Sequence, residues 1–394
     1  MVDRRGRMLQ NRRSRRAWRG GHAIGLAGTA AAFVALGMTG LATAPRARAD
    51  FEDLFQPITD AIAQAISVVD PGFASSLDPG LDLSSAAASP AVAAAVENAT
   101  IPLQLTNNGT EAVVDVSVGG GPDIPVVADT GSVALMVPWY DVGLQNLLNL
   151  GSHLTLETTS YGGSPNDANI DVLYIEDPDT TVNFGDGIVT APTTVDLELF
   201  AYPASNSNLF DLSDYSLPTY LGNADADGFL GIGAEDTLLG PGPSSVITAL
   251  PGDLNEGVLI NEAGGYLEFG PNPLTPYASV LGAPITPYLE VSVGGGGEVS
   301  VPMTVDSGGV YGTIPSSILN NAPALGEKLS PGTEISVYTS DGQWLYSYTT
   351  TTTDSPTVNS DTTMNTGFEA FNLFPIYLSY SPTDGGTTVF DYDS

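Results

Sequence analysis

The sequence contains VSVGGGPDIPVVADTGSVALMVP at residues 116–138 and VSVGGGGEVSVPMTVDSGGVYGTIP at residues 291–315. Each copy runs from a strand that ends in glycines, through an apolar segment, to an Asp-Thr-Gly or Asp-Ser-Gly turn and then to a proline. The second copy is two residues longer before its aspartate and stays in register after it. Two matched copies predict two similar lobes. One aspartate in each copy predicts a site where the lobes meet, with Asp129 facing Asp306.

The charge is divided unevenly along a chain of 394 residues, a length that suits two domains of ordinary size. Ten of the 11 basic residues are arginines that precede residue 49, and only Lys328 follows them. All but one of the 45 acidic residues lie at or after Asp50. The chain after residue 49 therefore carries a formal charge of about −43. So acidic a surface repels phosphate backbones, which excludes nucleic acid as a partner.

Residues 1–49 are predicted to be an export signal. An arginine-rich start is followed by an apolar Ala/Gly-rich run at 23–44 and by Ala-Arg-Ala at 47–49, a small-x-small cleavage site. The segment Ser-Arg-Arg-Ala-Trp at 14–18 is similar to a twin-arginine signal. The Gly and Ala content and the cleavage site favour a cleaved signal over a membrane anchor. We therefore expect an exported protein, located outside the cell or in the cell envelope.

The remainder divides into a leading segment and an all-β part. In residues 50–107, apolar residues recur at helical spacing from Leu54 to Ile66, and Ala/Ser/Pro-rich sequence follows. This predicts an amphipathic segment and a linker, which act either as a pro-segment or as a spacer. After that, short β-branched and aromatic runs alternate with Gly, Pro, Asn and Asp clusters. The pattern predicts an all-β fold with an N-terminal β lobe at 108–252 and a C-terminal β lobe at 253–394.

The Asp-Thr-Gly and Asp-Ser-Gly turns have a definite chemical use. Such a turn holds an exposed carboxylate among backbone donors, with a hydroxyl beside it. Two carboxylates within hydrogen-bond reach cannot both ionise cheaply, so the pair shares one proton and titrates over an acidic range. The ionised member can take a proton from water while the protonated member polarises a carbonyl, which is the chemistry of hydrolysis. We expect Asp129 and Asp306 to be that pair, with no metal and no organic cofactor.

At these residues the chain resembles the pepsin-like aspartic proteases, over about residues 110–394. DGFLGIG at 227–233 is similar to the segment that supports the first active-site loop in that family, and YGG at 161–163 falls where the family has its flap. The resemblance implies a bilobal fold and an aspartic-type endopeptidase. It implies catalysis by Asp129 and Asp306, active-site loop support by Thr130, Gly131, Ser132, Ser307 and Gly308, and a substrate-binding flap of Tyr161, Gly162 and Gly163.

Within that family, three segments are similar to the mycobacterial PE-associated, PecA-like aspartic proteases: SYGGS at 160–164, DTTVNFGDGIVTAPTTV at 179–195 and DSGG at 306–309. This resemblance implies a polypeptide substrate, namely exported PE-type proteins. We expect the protein to act as a monomer.

Three positions depart from the family pattern. Gly309 stands where the family usually has Thr or Ser, and Met136 stands where a tryptophan often supports the flap tyrosine. The second change leaves Trp139 or Trp344 as candidates for that support. The family's second supporting segment belongs near Gly367, where the match is poor.

Other interpretations fit parts of the sequence. NADADG at 223–228 resembles the first half of a calcium-binding EF-hand loop, but Ala234 stands where its closing glutamate belongs. A Ser-His-Asp hydrolase would depend on His153, the only histidine after the signal, and no Gly-x-Ser-x-Gly elbow accompanies it. The absence of cysteine excludes thiol nucleophiles and disulfides. One alternative stays open, a catalytically inactive pepsin-like protein that binds peptides or envelope components.

Overall fold

A computed structural model describes residues 98–143, 156–162, 169–203, 216–234, 244–380 and 386–392. The predicted export signal, most of the predicted segment at 50–107, His153 and Gly163 lie outside these residues. Within the described ranges, no helix is long and apolar enough to cross a membrane.

The described residues consist mainly of strands, which confirms the all-β prediction. In chain order the strands are β1 (Ala99–Pro102), β2 (Gln104–Thr106), β3 (Glu111–Val118), β4 (Asp123–Asp129), β5 (Leu135–Pro138), β6 (Leu156–Tyr161), β7 (Ile170–Thr180), β8 (Val182–Asn183), β9 (Thr193–Pro203), β10 (Gly228–Gly231), β11 (Gly257–Asn261), β12 (Tyr266–Phe269), β13 (Pro276–Leu281), β14 (Ile285–Val293), β15 (Val299–Thr304), β16 (Thr313–Pro315), β17 (Glu334–Thr339), β18 (Trp344–Thr349), β19 (Thr357–Asn359), β20 (Met364–Asn365), β21 (Ile376–Ser379) and β22 (Thr387–Asp391). The α-helices of the described part are short, α1 (Leu217–Tyr220) and α2 (Glu369–Leu373).

The N-lobe is a nine-stranded sheet with the order β2-β3-β4-β10-β5-β9-β7-β6, in which β8 pairs with β3. β3 and β4 form an antiparallel hairpin whose turn places Gly119 and Gly120 at φ 56° and 76°. Glycine adopts this left-handed conformation without the steric penalty of a side chain. β10 lies between β4, to which it is parallel, and β5, to which it is antiparallel. The insertion brings Gly231 opposite Asp129.

The C-lobe is a seven-stranded sheet with the order β18-β17-β14-β15-β20-β16-β19. β14 and β15 form the hairpin of the second sequence copy. β20 lies parallel to β15 and antiparallel to β16, which is the arrangement that β10 has with β4 and β5. The supporting segment of the second lobe is therefore present at Met364–Asn365, although its sequence matches the family pattern poorly.

A third sheet contains strands from both ends of the described chain, and we call it the bridging sheet. Its six strands run in the order β1-β12-β11-β21-β22-β13, and all the pairs are antiparallel. The sheet does not follow the residue ranges predicted for the two lobes. Its first strand, β1, precedes residue 108, and its other five strands lie within the range predicted for the C-lobe. The folded part of the chain begins before residue 108 because Ile101 and Leu103 are buried and β1 pairs with β12 along its whole length.

One apolar cluster runs through all three sheets and is the main core. It includes Leu135 of the N-lobe, Leu345 of the C-lobe and Phe390 of the bridging sheet. A second, smaller cluster contains Met136 and Phe229. Because successive side chains of a strand point to opposite faces, Met136 and its neighbours Leu135 and Val137 belong to different clusters.

Candidate active site

The two aspartates lie at equivalent strand ends. Asp129 is the last residue of β4, and Asp306 follows β15 by two residues. Their side chains lie within hydrogen-bond reach of each other, and each residue is only 7% exposed. A Cβ on Gly131 would lie 2.6 Å from Asp306 Cγ, and a Cβ on Gly308 would lie 2.6 Å from Asp129 Cγ. The close approach of the two carboxyls therefore requires glycine at both positions.

Thr130 and Ser307 tie the two active-site loops together across the lobes. The Thr130 hydroxyl donates to the carbonyl of Val305 at 2.6 Å and accepts the Ser307 N–H at 3.0 Å. The Ser307 hydroxyl donates to the carbonyl of Ala128 at 2.6 Å and accepts the Thr130 N–H at 3.1 Å. Both side chains are completely buried. Satisfied hydrogen bonds between buried groups are strong and directional, so this network sets the separation of the two aspartates.

Asp129 lies in surroundings that favour its protonated form. Burial, and after it the charge of Asp306, raise the pKa of Asp129 well above its usual range. The Ser132 hydroxyl donates to Oδ2, and the Gly131 N–H donates to Oδ1 at 2.8 Å. These two donors favour the ionised form and oppose the rise only in part.

Asp306 has a different set of donors. The Gly308 N–H donates to its Oδ1 at 3.0 Å, and the side-chain amide of Asn365 donates to its Oδ2. The Asp306 backbone N–H donates to the Thr366 hydroxyl at 3.2 Å. Sequence analysis missed Asn365 as a site residue. The glycine at position 309 could have indicated it. The Thr or Ser hydroxyl that the family usually has there is missing, so the Asp306 carboxylate needs another hydrogen-bond donor.

Tyr161, which the sequence predicts to belong to the flap, is the last residue of β6. Its ring stacks on Phe229 with the centroids 4.3 Å apart and 13° between the planes. Its hydroxyl donates to the Met136 sulfur at 3.7 Å. Burial and the charge of Asp129 hold the pKa of Tyr161 well above its usual value, so its hydroxyl stays neutral beside the dyad.

Met136 therefore supports Tyr161 itself. The two tryptophans that the sequence offered for this role have other neighbours. Trp139 packs edge-on against Tyr140, with the centroids 6.0 Å apart. Trp344 is half exposed and donates its indole N–H to Ser347 at 2.9 Å. The structure therefore favours Met136 over the two candidate tryptophans as the support of Tyr161, because β5 directs Met136 into the smaller cluster beside that ring.

The rest of the predicted flap is only partly described. Gly162 follows β6, and a Cβ there would lie 2.5 Å from Asn169 Oδ1. Gly163 lies outside the described residues.

The acidic segment at 223–228 leads into β10. Asp225 adopts φ 57°, and the Asp227 N–H donates to the Pro125 carbonyl at 2.8 Å. Among the residues that the structure describes, no group of three or more His, Cys, Asp or Glu side chains could hold a metal ion. The segment positions the strand that supports the Asp129 loop.

Comparison with known proteins agrees with the pepsin-like resemblance. Residues 99–388 match the family described as "PE-PGRS C-terminal aspartyl peptidase-like domain". The chain is 42% identical over 305 residues to "PE cleavage protein A" of Mycobacterium tuberculosis and 44% identical over 302 residues to the protein of that name from Mycobacterium marinum. Each alignment covers 74% of this chain and 52% of the relative, so the chain spans about half the length of these relatives.

A solved aspartic proteinase from Irpex lacteus is a looser match, with 14% identity and a TM-score of 0.44 over 75% of this chain and 98% of that one. A likeness at this level carries no argument about the site.

Proposed function

This chain belongs to the family of PE-PGRS C-terminal aspartyl peptidase-like domains, and from that premise we propose that it is an exported aspartic endopeptidase. Asp129 and Asp306 are its catalytic pair. Its substrate is an extended polypeptide, bound as a strand in a cleft between the lobes. The flap that begins at Tyr161 closes over the substrate.

The reaction needs one proton shared between the two carboxyls. The ionised carboxylate removes a proton from water while the water oxygen bonds to the scissile carbonyl carbon. The protonated carboxyl gives its proton to the carbonyl oxygen, and a neutral tetrahedral intermediate forms. The carboxyl that took the proton from water then gives a proton to the amide nitrogen, and a hydroxyl of the intermediate gives its proton to the other carboxylate as the C–N bond breaks. The pair again holds a single proton.

The observation that carries the proposal is the paired geometry of the two loops. The carboxyls lie within hydrogen-bond reach of each other, and a reciprocal network of Thr130 and Ser307 holds their loops together. A protein that had lost hydrolysis would have no need for a buried pair of carboxyls, which is costly to keep. The elevated pKa of Asp129 supports a shared proton at acidic pH, where such a pair is active.

The identity of 42–44% to "PE cleavage protein A" supports a substrate class, exported PE-type proteins. The sequence features of residues 1–49 support export to the medium or the cell envelope. The formal charge of about −43 after residue 49 disfavours acidic substrates and favours cleavage at low pH, where self-repulsion falls.

The test is cleavage of an unbiased peptide mixture by the full chain from pH 3 to pH 8. Asp129→Asn and Asp306→Asn keep the size of each side chain and remove its acid chemistry, so each should lose at least about a thousandfold in kcat/KM. The exposed Asp253→Asn is the matched control and should cleave like the wild type.

Inhibition by a statine-type analogue of the tetrahedral intermediate should accompany the activity. Cleavage that survives in both dyad variants, or that is fastest at pH 8 and falls steadily as the pH is lowered, would refute the mechanism. Folded protein with no cleavage at any pH would favour the inactive, peptide-binding alternative. A purified PE-type protein, with the products sequenced from their N-termini, tests the substrate class separately.

A further inference from the structure

The two carboxylates of the dyad differ in the donor on Oδ2. The donor to Asp129 is the Ser132 hydroxyl, and the donor to Asp306 is the Asn365 side-chain amide. A hydroxyl donates to an ionised carboxyl, but it can also rotate and accept a hydrogen bond from a carboxyl that gains a proton. An amide NH2 group can only donate. The approximate symmetry of the site therefore ends at the two Oδ2 atoms.

The Asn365 amide cannot turn over to present its oxygen instead. Its Oδ1 accepts the Gly367 N–H at 2.9 Å, and this contact directs the NH2 group towards Asp306. Strand pairing holds the backbone as well, because Asn365 lies opposite Thr304 in β15 and Thr313 in β16. The donor to Asp306 is thus fixed by three separate constraints.

Protonation of Asp306 would disturb its hydrogen bonds. The Gly308 N–H lies on Oδ1 at 3.0 Å and the Asn365 amide lies on Oδ2, so both oxygens already face donors. A carboxyl oxygen that carries a proton is a weaker acceptor, and hydrogen bonds to the charged form favour that form. We propose that Asn365 is a positioning residue that keeps Asp306 as the ionised member of the dyad.

This assignment rests on the proposed endopeptidase function and gives each carboxyl its own step. Asp306 takes a proton from water, the water oxygen bonds to the carbonyl carbon, and Asp129 gives its proton to the carbonyl oxygen. One proton enters the pair and one leaves it, so the pair keeps a single negative charge. Within the described part of the chain, Asp306 and Tyr161 are the titratable groups whose interaction with Asp129 is identified, and Tyr161 stays neutral.

Gly309 leaves the space that Asn365 occupies. A Cβ at position 309 would collide with Asn365 Oδ1 and would lie 2.9 Å from Asp306 Oδ2. A side chain at 309 and an asparagine at 365 therefore exclude each other, although a donor from either place reaches the same oxygen. The donor should be transferable, with Asn365→Ala making room and Gly309→Ser supplying a hydroxyl.

The experiment measures kcat/KM against pH for the full chain, N365A, N365D and the double variant N365A/G309S. Loss of a donor to the ionised form raises the pKa at which Asp306 loses its proton. The acid limb of the N365A profile should move to higher pH by about one unit. At pH values below the limb, this shift corresponds to about a tenfold loss of kcat/KM. N365D should move it further, because a second carboxylate repels the first. The double variant should move it most of the way back.

A purely structural role would lower activity at every pH and leave the limb in place. An unmoved limb in both N365A and N365D, in a protein whose cleavage requires Asp129, would overturn the inference. A 13C carboxyl titration of the full chain, with the Asp306 signal identified by its loss in D306N, gives an answer that does not depend on cleavage. Asp306 losing its proton before Asp129, and later in N365A, supports the assignment even if no peptide is cut. The opposite order overturns it.

Discussion

Replacing Thr130 with valine should destabilise the protein by several kcal/mol without changing its shape. Valine has nearly the volume of threonine, so no cavity forms. The change deletes the hydroxyl that donates to the Val305 carbonyl at 2.6 Å and accepts the Ser307 N–H at 3.0 Å. Both partners then remain buried without this contact, and a buried polar group left unpaired costs about 1–3 kcal/mol. For two such groups we expect the free energy of unfolding to fall by about 2–6 kcal/mol.

The matched control is Thr130→Ser, which keeps the hydroxyl and removes one methyl group. Its cost should be about 1 kcal/mol, as for a single methyl deleted from a core. The assay is equilibrium urea denaturation of the wild type and both variants at one pH. The midpoint should fall for valine much more than for serine, with the slope m unchanged, because the surface exposed on unfolding is the same.

The two loops should also be coupled in a double-mutant cycle of Thr130→Val with Ser307→Ala. The two hydroxyls serve one network, so the double variant should cost less than the sum of the single variants by about 1 kcal/mol or more. If valine and serine at position 130 are equally stable within about 0.5 kcal/mol, or if the cycle is additive, the network does not hold the lobes together and the reasoning fails.

Three other perturbations follow from the same structure. Gly308→Ala places a methyl group 2.6 Å from Asp129 Cγ and should reduce kcat/KM at least about a hundredfold, since a displacement of about 1 Å at a reacting group has that effect; unchanged kinetics would contradict the close approach. Burial raises the pKa of Glu262 to about 8, above its unfolded value, so its contribution to stability is present below about pH 4 and is lost as the pH rises towards 8. Urea midpoints should therefore fall between pH 5 and pH 8, and Glu262→Gln should flatten that slope; an equally steep fall in the variant would show that other groups cause it. Tyr161→Phe keeps the stacked ring and should leave the melting temperature within about 2 °C, whereas Tyr161→Ala should lower kcat/KM about tenfold or more; equal kinetics for alanine and the wild type would exclude a flap role.

The candidate dyad could be identified from the sequence because its signal is local and repeated. Asp129 and Asp306 each follow a β-branched strand within a matched stretch, and each carries its own hydroxyl and glycine. A turn of this kind forms from residues that are neighbours in the chain, so a single sequence describes it completely. The all-β class follows in the same way from short strands separated by turn residues, and the structure confirms it.

The bridging sheet could not be identified in this way. Three of its five strand pairs join segments that are more than 100 residues apart, namely β1 with β12, β11 with β21 and β13 with β22. The sequence of each strand resembles that of other apolar strands, and it does not specify which strand it pairs with. The earlier start of the folded chain at Ala99 is a consequence of that pairing.

The sequence by itself therefore determined the duplicated loops, the two aspartates and the β class, because each depends on residues that are close together in the chain. Only the tertiary structure decided that Met136 supports Tyr161 and that Asn365 supplies the donor to Asp306. Asn365 lies 59 positions after Asp306, and it reaches the carboxylate because β20 packs beside β15 and Gly309 leaves room. Which side chain fills a space depends on what surrounds that space, and those surroundings exist only once the chain has folded.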